Sequence, residues 1–143
     1  MKVLNLEEIL LDNEVKNLLK AVLMNEDKLR HIDLVIGGVH RVLILDKANL
    51  IIMEKKEIGE LLNMMLEKAV CVDGLEIDLS PECAVEIALI HEDGNVEKML
   101  LSRKDIERMR KRLSKIVKGE DVEVAPTDLA SINTVDLIKL LLE

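Results

Sequence analysis

Two cysteines, three histidines and a cluster of acids are the residues in this chain that have chemistry to offer. Cys71, Cys83 and His91 are the only such set close in sequence, separated by twelve and eight positions. Those gaps match no common zinc spacing, and close pairs of the CxxC or HxxxH kind are missing, so no metal ligand is assigned. Cys83 with His91, or Cys71 with His40, supplies the ingredients of a nucleophile and base, but no local signature marks either thiol as activated. Asp73, Glu76, Asp78 and Glu82 crowd one region. Glu76 and Asp78 fall on one side of a strand, where they could ligate a divalent cation. The simpler reading is the solvent side of an edge strand, which acids keep from aggregating. His31 and His40 bracket a hairpin, where they could face each other across it; a structural or surface role is preferred to a metal site. Serine nucleophile elbows, Walker motifs and dinucleotide fingerprints are absent. No catalytic residue and no cofactor is assigned, and the chain does not read as a common enzyme.

The strongest pattern is a charge pattern. Ser102 to Gly119, SRKDIERMRKRLSKIVKG, carries eight basic and two acidic side chains, about +6, in a chain of net −8, so the rest stands near −14. Ser102 with Asp105 forms a capping-box pattern and Gly119 suits a C′ position, which marks both ends of a helix. Ile106, Met109, Leu113, Ile116 and Val117 share one face of it. Lys104, Arg108, Lys111, Lys115 and Lys118 form a row on the other, flanked by Arg103, Arg110 and Arg112. That row is a candidate surface for an anion or a partner, with steep salt dependence if the ligand is a nucleic acid. The plainer reading is a solvated face opposite a buried stripe, and it is preferred. An acidic protein, or an acidic patch on a second copy, is a further reading.

Composition narrows the function. The chain has 143 residues and no Phe, Trp or Tyr. Base stacking on aromatic platforms is therefore missing, apart from histidine and arginine, and an aromatic cage for a methylated ammonium is excluded. A chain of this length makes one domain that buries roughly 68–70 % of its unfolded surface, around a core of Leu, Ile, Val, Ala and Met. Two cysteines make no disulfide framework, and both are expected as reduced thiols. The start MKVLNLEE has acids where a signal peptide carries its apolar run, and no stretch approaches the ~18 apolar residues of a membrane span. The chain thus reads as cytoplasmic, with no membrane contact. No Gln, few Ser or Thr, and much Glu and Lys suit a thermophilic source, although seven Met argue the other way.

Periodicity supplies the elements that must position these residues. Asn5 with Glu8 opens a helix or helix pair reaching Leu23. Ile32–Ile36, Val39–Leu45 and Leu50–Met53 read as three short strands, with a tight turn at Gly37-Gly38. Ile58, Leu61, Leu62, Met65, Leu66 and Ala69 are the clearest helical stripe, interrupted by Gly59 at a cost of ~1 kcal/mol against Ala, which a close neighbouring backbone would explain. Leu75–Leu79 alternates at strand period after Asp73-Gly74. Val85–His91 and Val96–Leu101 form a hairpin around Asp93-Gly94 that runs into the basic helix. Asn133 with Asp136 caps a last apolar helix, Val135–Leu142.

The order is helix, three strands, helix, three strands, two helices. It predicts an α+β domain with an antiparallel sheet of five to six strands in two meander or hairpin groups. Residues 1–119 form the domain; residues 120–143 are a linker and an apolar helix that docks on the domain or on a second subunit through Leu137, Ile138 and Leu141. With the first strand discounted, residues 5 to 118 resemble, by element order, roadblock-type and profilin-like regulatory domains. The first functional expectation is a non-catalytic regulatory or scaffolding module that forms a homo-oligomer, a dimer, and binds a protein partner. The second is a nucleic-acid or polyanion binder acting through residues 103–118. The third is an unfamiliar enzyme using Cys83 and His91 or the acids from Asp73 to Glu82.

Overall fold

The computed structural model describes residues 31–36, 39–45, 56–73, 76–91 and 96–143. The expected helices before residue 30, the strand Leu50–Met53 and the turns at Gly37-Gly38, Asp73-Gly74 and Asp93-Gly94 lie, wholly or in part, outside them. The elements are β1 (His31–Ile36), β2 (Val39–Leu45), α1 (Lys56–Lys68), β3 (Cys71–Asp73), β4 (Glu76–Asp78), β5 (Ala84–Ile90), β6 (Val96–Ser102), α2 (Arg103–Val117), a 3₁₀ segment (Pro126–Ser131) and α3 (Thr134–Leu142).

The class is α+β, but the sheet is mixed. Four strands run in the order β1-β2-β5-β6, and β3 and β4 form a separate two-stranded ribbon. β1 pairs antiparallel with β2, and β5 with β6, with Val85 opposite Leu101 and Ile90 opposite Val96. The central pair, β2 with β5, is parallel, Val42 lying beside Ile87 and Ile44 beside Leu89. This corrects the antiparallel sheet of five to six strands. Residues 46–83 between β2 and β5 contain α1, which gives the chain length enough to return in the same direction. A parallel pair is buried on both faces and therefore reads as a continuous apolar run. Val42-Leu43-Ile44-Leu45 is such a run, and all four side chains are buried.

One face of the sheet packs on the helices. Val42, Ile44, Val85, Ile87, Leu89, Met99 and Leu101 meet Ile58, Leu62 and Met65 of α1 and Ile106, Met109 and Ile116 of α2 in one buried cluster. α2 begins where the sequence places it. Asp105 N–H donates to Ser102 Oγ at 3.2 Å, and Ser102 N–H donates back to Asp105 Oδ2 at 3.1 Å. It ends in a Schellman turn: Gly119 N–H donates to Ile116 O, Glu120 N–H donates to Lys115 O, and Gly119 takes φ +75°. Leu137, Ile138 and Leu141 of α3 belong to the same cluster, with Asn133 Oδ1 accepting from Asp136 N–H at 2.8 Å.

The ribbon departs from expectation twice. Its strands are three residues long and lie apart from the main sheet, and Ile77 and Leu79 are 67 % and 59 % exposed. Cys71 and Cys83 are joined in a disulfide with Cα atoms 5.4 Å apart, where reduced thiols are expected. The bond ties the ribbon to the start of β5. Two-stranded ribbons are marginal alone, so this tether fixes where β3 and β4 lie.

Two stability measurements test this arrangement. Ile138→Ala lowers the unfolding free energy by about 2–5 kcal/mol with unchanged mass in light scattering; a loss that depends on protein concentration would instead place α3 at a subunit interface. Reducing the disulfide, which closes twelve residues of sequence separation, lowers stability by about 3 kcal/mol. Cys83→Ser shows the same loss and no further response to reductant.

Candidate partner-binding surface

The eight cations of residues 103–118 divide into two groups once the helix is packed. Arg103 and Arg112 are nine positions apart, which at 100° per residue puts them on opposite flanks of α2. Arg103 Nη1 donates to Leu66 O at 2.7 Å and Ala69 O at 3.3 Å, at the end of α1. Arg112 Nη1 donates to Leu140 O at 2.7 Å and Glu143 O at 3.0 Å, at the end of α3. Each guanidinium thus adds a donor to carbonyls at a helix C-terminus and meets the negative end of its dipole. Arg112 also lies 3.6 Å from both Asp121 and Glu123. The Asp121 carboxyl accepts from Glu123 N–H and Val124 N–H; these bonds, with Arg112 beside it, hold its pKa below the ordinary value. The sequence offers no signal for either capping arginine beyond its place on the flank of the stripe.

The remaining cations face outward. Lys104, Arg108, Lys111, Lys115 and Lys118 are all exposed, as is Arg110. Arg108 is paired with Asp105 at 3.2 Å, one turn back on the same helix. Among the described residues, Lys104, Arg110, Lys111, Lys115 and Lys118 have no ion pair. Glu107 is exposed in the same face. Four members of the expected row therefore project their charge into solvent, and one is internally engaged.

Between α1 and α2 lies a groove of about 190 Å³. Leu113 and Val117 form its apolar part, Asn63 and Gly59 come from α1, and Arg110, Ser114 and Lys118 border it from α2. A Cβ built on Gly59 meets nothing within 4 Å. The expectation of a close neighbouring backbone at Gly59 is thus not met.

The other candidate chemistry is dispersed. Cys83 and His91 stand at the two ends of β5, about 26 Å apart at 3.3 Å per residue, and both thiols are consumed in the disulfide. Neither cysteine pairing with a histidine can work as a nucleophile and base in this state. His31 pairs with Ile44 and His40 with Val35, so the two histidines sit at opposite ends of the β1–β2 ladder rather than across from each other. Burial pushes the His31 pKa down, opposed by Asp33. His40 Nε2 lies 3.7 Å, and Lys68 Nζ 3.5 Å, from the Asp33 carboxyl. Glu76, Asp78 and Glu82 are exposed, and no group of three or more His, Cys, Asp or Glu able to hold a metal occurs among the described residues. His91 shares Glu97 Oε1 with Lys139, at 2.9 and 2.6 Å. The Lys139 hydrogen bond, with a smaller part from His91, keeps the Glu97 pKa low. This cluster ties α3 to β6. Among the described residues, no helix is long and apolar enough to cross a membrane.

No protein-family profile, curated protein or solved structure matches this chain.

The two groups of cations separate by mutation. Arg112→Ala removes the guanidinium from the α3 carbonyls and from the Asp121 carboxyl and lowers stability by about 1–3 kcal/mol. Lys111→Ala changes it by less than about 0.5 kcal/mol. Chemical denaturation of both variants under identical conditions measures the contrast.

Proposed function

We propose that this chain is a non-catalytic regulatory or scaffolding module whose partner is a protein with an acidic surface, bound through the outward face of α2. One observation carries the reading. In a chain of net −8, Lys104, Lys111, Lys115 and Lys118 project from one helix with no acidic partner among the described residues, while Arg103 and Arg112 serve the fold. A helix that needed charge only for solubility has no reason to gather one sign against the balance of its own chain.

A protein partner is favoured over nucleic acid on two grounds. The sequence pI is about 5.0, where a nucleic-acid-binding domain is typically strongly basic. The chain also has no Phe, Tyr or Trp ring on which a base could stack. Burial of Leu137, Ile138 and Leu141 in the chain's own core supports docking of the terminal helix on its own domain.

A cytoplasmic site in a thermophilic cell fits the same chemistry. Disulfides persist inside cells chiefly in hyperthermophiles, and a chain rich in Glu and Lys without Gln suits them.

The test is selection of an unbiased helical-peptide display library on the full chain, with Lys111→Glu/Lys115→Glu as the counter-selection. The expected result is enrichment in Asp and Glu, with binding that weakens as salt rises. Recovery of peptides without acidic bias removes the reading. A DNA or RNA gel shift at moderate salt that Arg108→Glu/Lys111→Glu abolishes replaces it with nucleic-acid binding.

A further inference from the structure

We infer that the groove between α1 and α2 receives one apolar side chain from an acidic amphipathic helix of the partner, laid along α2. The inference rests on the reading above and specifies what that partner must present. It starts from Gly59. A glycine inside a helix costs roughly 1 kcal/mol against alanine, so one in the fourth position of α1 asks for a reason. Backbone conformation is not the reason, because Gly119 is the only glycine with positive φ among the described residues. Crowding is not the reason either, since a Cβ at Gly59 would stand in open space. What the missing side chain does is leave the groove open.

The shape and lining of the groove indicate its occupant. Its volume of about 190 Å³ falls below the roughly 300–1,000 Å³ of small-molecule sites. That is room for a side-chain anchor and too little for most metabolites. Leu113 and Val117 supply apolar contact, and uncharged Asn63 and Ser114 line the groove from the two helices. Arg110 and Lys118 border the same groove, and both are exposed without an ion pair among the described residues. They are eight positions apart, about 12 Å along α2 at 1.5 Å per residue. An apolar pocket with a polar border is the arrangement in which buried anchors carry most of the binding energy. A helix lying along α2 with carboxylates about two turns apart and an apolar residue midway meets all three features at once. This is helix-in-groove recognition with the charge supplied by the partner.

The experiment uses the full chain and a display library of helical peptides that hold two glutamates about two turns apart, with the positions between them randomised. Selected peptides are then measured by fluorescence anisotropy against wild type, Gly59→Leu and Arg110→Glu/Lys118→Glu. Gly59→Leu fills the groove while raising helix propensity, so its melting temperature is no lower than wild type, which circular dichroism verifies. The expected result is an apolar residue between the glutamates and a loss of roughly tenfold or more in affinity with Gly59→Leu. Equal binding by Gly59→Leu, or selected peptides without an apolar preference, overturns the groove assignment. In that case continued loss with Arg110→Glu/Lys118→Glu leaves the acidic-partner reading standing. Binding unaffected by either variant overturns both. A wild-type dimer in sedimentation that Gly59→Leu converts to monomer makes a second copy the occupant, which also overturns the assignment.

Discussion

The apolar stripe of α2 is the contact on which the rest of the molecule depends. Ile106, Met109, Leu113 and Ile116 are its buried side chains, and burial of an aliphatic or methionine side chain is worth about 1.5–3 kcal/mol. The chain has no Phe, Tyr or Trp to concentrate that energy, so many modest aliphatic contacts must converge on one surface. α2 follows β6 without a break, because Ser102 both ends the strand and caps the helix. Seating the stripe against the sheet sets the orientation of Arg103 and Arg112. Those two residues then close the ends of α1 and α3, so one packed helix organises its neighbours.

The same packing separates two kinds of charge. On the face of the sheet away from the helix cluster, Glu86 accepts from Arg41 Nε at 2.7 Å and pairs also with Lys98, only 7 % of which is accessible. A half-buried carboxylate with two cationic partners holds its place because removing one partner would leave charge less compensated, whatever the net worth of the group. Around α2, Arg103 and Arg112 are used in the same internal way. What lies outward on α2 is left over after the fold has taken its share. That remainder is the physical basis of the proposed binding surface, since exposed cations keep their solvation and lose little on meeting an acidic partner.

Local chemistry is what a sequence expresses most directly. The ends of α2 follow from Ser102, Asp105 and Gly119, because capping bonds span only three to five residues. The stripe Ile58, Leu61, Leu62, Met65 marks α1 for the same reason. The antiparallel match of Val85–Ile90 with Val96–Leu101 is carried by strand period on both sides of a short connection. Asn133 marks the start of α3 by its cap. These features are fixed by neighbours along the chain, so composition and spacing are enough to read them.

Tertiary structure decided everything that joins distant residues. The parallel pairing of β2 with β5 depends on the chain returning past α1, and short apolar strands do not encode their direction. Cys71 and Cys83 are twelve positions apart with no motif between them, and only the folded ribbon brings their sulfurs together. The row Lys104 to Lys118 was legible as a face, but which arginines beside it would be spent on the ends of α1 and α3 depended on where those helices lie. Gly59 reads in sequence as a defect of helix propensity, and it becomes the opening of a groove only when α2 is packed alongside. Sequence by itself determined the elements and the faces they present, because hydrogen bonds and side-chain period act over a few residues. The partners of those faces were decided by packing, which acts across the whole chain.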